Sequence, residues 1–559
     1  MRRILFSLLL FIPVYSYSQL SETIFSQQNE NGLTAIVIEN SSVPLVTVEW
    51  VVRDGIAYEP KNLKGYSSLV QKLFFAANKD FPSASLMKQK LKQLGAVYGT
   101  TQSEEHSSVY LTCSKRNLDA ALKLFLSALK EPLYLSDEVD SALVKVFDEQ
   151  ASLQGDPFFL FDQKLNQNLW LTASERKDGM VTAKLAQTTS PENLSEYQKL
   201  FYSPNNSCLI ISGDVQHKDV LTKVNLLFSS LTKNPDLPAD KYGVPDYRTN
   251  NYSSQFVFEN AMAQSPAFVI SFPVPDLREN LYNFLTGKMV EALVNAASSS
   301  LNKNLVETGL AYQVSARYRE MKFGSSFDFI ISPKSDKLQE CYKKAREEIQ
   351  SLANFNSYTT EQITQASQLL YSDYSFNTAK TTSLSHYVGS YWAKTNELPE
   401  LNIEASLQEI KSLNKVINFC QLYFSQQSFT AGLLISQADK NNVNSATGFC
   451  ETYPVSNYRI SFTRNDDQIF DPVNKQMVNS LSQFFQINPE LKFELLASQD
   501  AVERKETAKA RFVATYKALQ KAGAPEKTLD EMQVSIYIKH SETDAELNEN
   551  MVIKFKVIQ

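Results

Sequence analysis

Histidine and cysteine are both scarce, with four and five in 559 residues. His106, His217, His386 and His540 never pair at the spacing of metal ligands, and Cys113, Cys208, Cys341, Cys420 and Cys450 contain no C-x-x-C. A cysteine-based zinc or redox motif is therefore excluded. The four histidines read as structural, and the cysteines as buried free thiols, a Cys420–Cys450 bridge being the alternative. Charge of one sign is lacking too. Lys and Arg number 55 against 61 Asp and Glu, a net charge of −6 with a pI near 5.6. That argues against nucleic acid as a partner. Beyond the first residues, no apolar run is long enough to span a membrane.

What is present describes a large folded protein. Hydrophobic residues make up 43% and charged residues 21%, with 26 Tyr and 34 Phe to fill several amphipathic sheets. The length corresponds to roughly three to five domain-sized units. Residues 1–18 read as a secretory signal peptide: Arg2 and Arg3 start it, Ile4 to Val14 form the apolar stretch, and Ser16-Tyr17-Ser18 offers small residues before Gln19. No Cys follows, so this is no lipoprotein signal. The expected location is the bacterial periplasm.

Periodicity then sets out an α+β chain. Ala35–Glu39 and Val43–Arg53 read as strands, with Val46, Val48 and Trp50 alternating with Thr47 and Glu49. A helix is expected over about Gly65–Ala77, another over Leu86–Leu94, a hairpin over Ala96–Ser114, and helices over Leu118–Leu129 and Ser136–Leu153. Leu194–Phe201 leads through Tyr202-Ser203-Pro204-Asn205-Asn206 into the strand Cys208–Gly213. A linker rich in Pro, Asp and Tyr covers 234–254. A second unit, 255–445, repeats the pattern, with a strand at Ala267–Pro273 and a helix at Leu281–Asn295. A further linker covers 446–457. The last unit, 458–559, has the order βαβαβ.

The segment Gly65-Tyr66-Ser67-Ser68-Leu69-Val70-Gln71-Lys72-Leu73-Phe74-Phe75 resembles the zinc helix of the insulinase/pitrilysin-type metallopeptidases, G-x-x-H-x-x-E-H-x-L-F. Ser68 stands at the first histidine, Gln71 at the glutamate and Lys72 at the second histidine. A protonated hydroxyl is a poor zinc ligand, an ammonium sits where a dication belongs, and an amide cannot take a proton from water. Counting about 77 residues on from Lys72 lands on Glu149, the position the family's third ligand implies, while Ala142 replaces a supporting glutamate. A Lys72–Glu149 ion pair, buried where the metal would be, is expected. The plain alternatives are drift on a buried helix face and a solvated Glu149.

The resemblance continues through Asn31-Gly32-Leu33, Val43-Pro44-Leu45-Val46 and the Tyr202–Asn206 turn, and covers roughly residues 20–445. In the second half, Ser299–Tyr312 resembles the family's SRLxxxLRExxGLAY segment. Tyr312 matches its substrate-holding tyrosine, and Leu305 replaces the arginine; a plain core tyrosine is the alternative for Tyr312. The family implies two αβ half-domains closing as a clam shell around a chamber.

Residues 458–559 resemble the OmpA-like peptidoglycan-binding domain, through Ile487-Asn488-Pro489-Glu490-Leu491-Lys492 and the strand ending Ser498-Gln499-Asp500. Its ligand chemistry, one carboxylate and one arginine around diaminopimelate, falls on Asp500 and Arg511, with a shorter loop between them and no late paired arginines. A degenerate domain used for protein contacts is the alternative.

Together these readings give a secreted pseudo-peptidase with no metal and no cofactor. Three functions compete. One is a scaffold or adaptor subunit in an outer-membrane barrel or lipoprotein complex, in contact with peptidoglycan or not. The others are an inactive partner of an active zinc peptidase, and a peptide-holding chaperone.

Overall fold

The computed structural model describes residues 23–558, apart from 61, 171, 173, 178–180, 182, 250–251, 278–280, 355–356, 399–406, 409, 426–427, 440–458, 470–471, 490, 505, 541–542 and 544–550. Residues 1–18, read from sequence as a signal peptide, and 446–457, read as a linker that includes Cys450, lie outside the described residues.

The first unit has strands β1 (Ile24–Gln28), β2 (Thr34–Glu39), β3 (Leu45–Val52), β4 (Val97–Gln102), β5 (Ser107–Ser114) and β6 (Ser207–Gly213). Its helices are α1 (Tyr66–Leu73), α2 (Ala84–Gln93), α3 (Leu118–Lys130), α4 (Ser136–Gln154), α5 (Pro157–Leu169), α6 (Lys184–Thr188), α7 (Pro191–Phe201), α8 (His217–Phe228) and α9 (Pro238–Tyr242). The sheet runs β1-β2-β6-β3-β5-β4, with only β2 and β6 parallel.

The second unit has β7 (Ser254–Glu259), β8 (Ala267–Val274), β9 (Ala311–Arg319), β10 (Ser325–Pro333) and β11 (Thr430–Ile435). Its helices are α10 (Leu281–Asn295), α11 (Leu338–Ser351), α12 (Thr360–Thr378), α13 (Thr381–Thr395) and α14 (Leu413–Cys420). The order β7-β11-β8-β10-β9, with β7 and β11 parallel, repeats β2-β6-β3-β5-β4 of the first sheet. The repeat expected from sequence is therefore a topological one. The sequence reading lacked β1, the short strand that extends the first sheet beyond β2.

The two units pack together by exchanging helices. The face of the first sheet carrying Ile36, Ile38, Val51, Cys208 and Ile210 packs on Leu384, Val388 and Trp392 of α13. In return, Phe161 and Leu165 of α5 pack on Phe256, Val269 and Leu434 of the second sheet. The opposite faces lie under each unit's own helices. Burial on both faces explains why β2 and β6 read as near-continuous apolar runs rather than alternating ones. Close approach has a steric signature at two glycines. A Cβ on Gly389 would sit 2.7 Å from Val51, and one on Gly432 would sit 2.7 Å from Phe161.

Polar contacts fix the same seam. Glu49, 1% exposed on β3, accepts from Ser108 Oγ, Ser385 Oγ and, at 2.7 Å, His386 Nδ1. Arg53 caps the C-terminus of α13 through the carbonyls of Trp392 and Ala393, and its guanidinium lies 3.8 Å over the Trp392 ring. Burial lowers the Arg53 pKa to about 10. On the α5 side, Arg319 joins Asp162 to the fully buried Asp328.

The last unit has β12 (Arg459–Ser461), α15 (Pro472–Ile487), β13 (Lys492–Asp500), α16 (Thr507–Lys521), α17 (Glu526–Asp530), β14 (Gln533–Lys539) and β15 (Val552–Ile558). Its mixed sheet is β12-β15-β13-β14, and β13 and β14 are parallel. Strand–helix–strand–helix–strand order is thus as expected, and the two strands β14 and β15 close the unit. The Asn488 side chain ties this unit to the second by bonding the Ser253 backbone at 2.5 and 3.0 Å.

Among the described residues, Cys113, Cys208, Cys341 and Cys420 are free and buried. No described helix is long and apolar enough to cross a membrane.

Candidate functional site

The altered helix is shorter than its sequence pattern, Tyr66–Leu73 rather than Gly65–Ala77. It begins at Gly65, whose φ of 93° suits glycine. A residue the sequence reading missed positions it. Buried Glu59 accepts the backbone N–H of Gly65 at 2.9 Å and of Ser67 at 2.6 Å, and the Tyr197 hydroxyl at 3.1 Å. A carboxylate on the first free N–H groups of a helix is favourable. Burial nevertheless holds the Glu59 pKa above the ordinary value, since those bonds only partly offset desolvation. Asp54 lies nearby in the same interior, and burial pushes it up to about 8.

Tyr66, Leu69, Val70 and Leu73 of α1 enter the core, which leaves Ser68, Gln71 and Lys72 on the opposite face at helical spacing. Each has found a protein partner. Ser68 Oγ donates to Gln102 Oε1 at 2.7 Å, and Gln102 Nε2 donates to Ser67 Oγ at 3.1 Å. Gln71 Nε2 donates to the carbonyls of Thr101 and, at 3.2 Å, Ser108. Lys72 Nζ lies 2.7 Å from both Glu149 oxygens. These bonds stitch α1 to β4, β5 and α4.

The Lys72–Glu149 pair forms as expected, but it is not buried. The Glu149 side chain is 64% exposed and that of Lys72 is 19% exposed. Glu149 sits on the outer face of α4, whereas Ala142 turns into the core. The donor set here is a hydroxyl, an amide, an ammonium and one carboxylate. That does not fit zinc, which takes thiolate, neutral imidazole and carboxylate ligands. Among the described residues, no three His, Cys, Asp or Glu side chains gather as a metal cluster.

The second half of the predicted site lies in the second unit, on β9 and the turn before it. Leu305 is fully buried in a π-helical turn, Asn302–Glu307. Tyr312 is 66% exposed on β9 and is no core tyrosine. Its ring lies under the Lys334 ammonium, 5.9 Å from the ring centre.

Asp500 and Arg511 are both 0% exposed. Arg511 makes a two-pronged ion pair with Glu503 and donates to the carbonyls of Ser498, Thr463 and Asp466. Asp500 Oδ1 accepts the Val502 N–H at 3.0 Å. In this arrangement the guanidinium holds the 463–466 loop against α16 and does not present a free fork to a ligand. Glu503, its actual partner, carried no sequence signal beyond lying eight residues earlier.

Comparison with known proteins agrees with this architecture. Residues 35–177 match the family described as insulinase (peptidase family M16), and residues 188–378 match the peptidase M16 inactive domain. The second match starts before the sheet boundary, since β6 belongs to the first sheet. An uncharacterized zinc protease of Rickettsia felis is 22% identical over 418 residues, covering 73% of this chain and 97% of that protein. The non-peptidase homolog YmxG of Helicobacter pylori is 21% identical over 57% of this chain and 72% of its own length. Among solved structures, the first half of the periplasmic protease PqqL from Escherichia coli superposes with a TM-score of 0.64 at 15% identity. That match covers 75% of this chain and 93% of that one.

Proposed function

We propose that this chain, which carries both M16 peptidase domains, is a non-catalytic member of that group acting as a binding or scaffold subunit in a bacterial envelope complex. The observation that carries the reading is the ammonium of Lys72 paired with Glu149 at the position of the resembled metal site, beside Gln71 locked to backbone carbonyls. A cation and a saturated amide leave neither a place for a dication nor a base for water. Relatives point both ways by name, some called zinc proteases and one a non-peptidase homolog.

A specific observation favours pairing with a second M16-type chain. One solved structure that this chain resembles is the first half of a periplasmic protease, and the match spans 93% of that half. In this reading the first two units form one half, and the chain serves as the inactive partner of a competent one. The C-terminal unit is proposed as an OmpA-like module, supported by its strand order and its Asn-Pro segment. Wall contact is part of the proposal only as a loop rearrangement that would free Arg511 from Glu503.

The test uses purified full-length protein. Metal analysis is expected to find no stoichiometric zinc, and unfolded peptides to remain uncut. One zinc per chain with hydrolysis stopped by chelator would overturn the reading. Tagged recovery from detergent-solubilised envelope, followed by mass spectrometry, separates the roles. Barrels or lipoproteins favour the scaffold, one intact M16 peptidase favours the inactive-partner role, and the chain alone weakens both.

A further inference from the structure

A cavity of about 670 Å³ opens in the second unit between α10, α12 and α13. That is within the range of small-molecule sites, roughly 300–1,000 Å³. Its place in the fold is notable. In the repeated topology, α10 follows β8 as α1 follows β3, and α12 packs on α10 as α4 packs on α1. The cavity therefore occupies the second unit's counterpart of the cleft where Lys72 meets Glu149. In the first unit, hydrogen bonds and an ion pair tie the corresponding elements together; in the second, the space is open.

The walls are largely apolar, from Phe284, Leu285, Leu369, Leu370, Tyr374 and Tyr387. The Tyr374 hydroxyl is buried and has no hydrogen-bond partner among the described residues. A buried hydroxyl without a partner costs free energy that a ligand could recover. The charges are unequal. Lys288 pairs with Glu291, and Lys394 with Glu320 at 3.2 Å. His386 pairs with Glu49 and brings no positive excess in either state of the imidazole. Asp373 also lines the cavity, and its carboxylate has no ion-pair partner among the described residues. An apolar cavity with one uncompensated carboxylate and one orphaned hydroxyl favours a cation on an apolar body.

We infer that this cavity is a binding site for an amine carried on an aromatic or aliphatic body, with the amine at Asp373, the body among the aromatic and leucine side chains, and a hydrogen bond to Tyr374. The site lies in a different unit from the altered helix, so the zinc measurements above do not bear on it.

Phenethylamine and its neutral counterpart phenethyl alcohol are the probes, titrated into full-length protein by calorimetry and ligand-observed NMR. Saturable binding at one site is expected, with the amine up to about fivefold tighter than the alcohol, as one exposed charge pair allows. Asp373→Asn, at an exposed position, should erase that preference while leaving alcohol binding unchanged. Ala292→Phe, which fills the cavity, should abolish both; circular dichroism checks that each variant is folded. Absence of saturable binding by either probe, or binding that survives Ala292→Phe, would overturn the site. Equal affinity for amine and alcohol would overturn the ligand class. Should Ala292→Phe fail to fold, Leu370→Trp supplies the same test.

Discussion

Lys72 Nζ lies 2.7 Å from both carboxylate oxygens of Glu149, 77 positions further along the chain. The helices α1 and α4, which the resembled zinc-helix pattern would join through a metal, are here held by an ion pair between them. Its exposure decides how much that pair is worth. With Glu149 64% exposed, water screens the attraction and keeps the carboxylate solvated when the lysine is removed.

Lys72→Ala is therefore expected to cost no more than about 1 kcal/mol. Urea unfolding measures it. A loss of several kcal/mol would show that the pair is effectively buried.

The triple change Ser68→His, Gln71→Glu and Lys72→His restores the ligand pattern on a helix face that already opposes Glu149. Zinc should then bind at one per chain, by metal analysis and by a rise in melting temperature that chelator reverses. Failure of the folded variant to hold zinc would mean that the backbone of α1 and α4 has also drifted from ligand geometry.

Asp54 contributes a pH dependence of stability. Its folded pKa is raised by burial to about 8 from 3.8, so the folded state holds a proton that the unfolded chain releases. Stability from this group is full below 3.8 and is lost as pH rises towards 8, by at most about 1.4 kcal/mol per pH unit. Asp54→Asn should flatten the slope in denaturant midpoints measured between pH 5 and 8. An unchanged slope would remove Asp54 as its source.

His106 acts at the other end. Burial, with a smaller contribution from Lys394, lowers its pKa to about 3, and its Nδ1 lies 2.8 Å from Ser103 Oγ. The unfolded chain takes up the proton first, so stability is full above 6.5 and is lost as pH falls towards 3. His106→Gln should blunt acid unfolding over that window, read from denaturant midpoints between pH 4 and 6.5. A profile identical to that of the parent would exclude His106 as a main contributor.

The helix exchange predicts an energetic link between the units. Trp392→Ala, at a site 4% exposed against the first sheet, should cost about 3–5 kcal/mol. Phe161→Ala, on the reciprocal helix, should cost a similar amount. Hydrogen exchange should show weakened protection in both sheets for either variant. Weakening confined to the mutated helix's own unit would mean that the units fold independently.

Much of this architecture was legible one segment at a time. Alternation of Val46, Val48 and Trp50, the Asn31-Gly32 turn and the Tyr202–Asn206 turn act over a few residues, so the strands and helices they mark fall close to their expected places. The changes at 68, 71 and 72 were legible only against the resembled zinc-helix pattern, whereas their shared face follows from helical spacing. Glu149 required counting along a family pattern, and its partner was then named correctly. The sequence could not show exposure, because that depends on how α4 lies over α1. It placed Asp500 and Arg511 as a ligand pair, whereas the fold turns Arg511 inward to Glu503. It also gave no sign that Glu59 caps α1. Most of all, covalent order says which helix follows which strand but not which sheet the helix covers. That α5 lies on the second sheet and α13 on the first was decided by tertiary packing, since each sheet has two apolar faces and only one set of local helices to bury them.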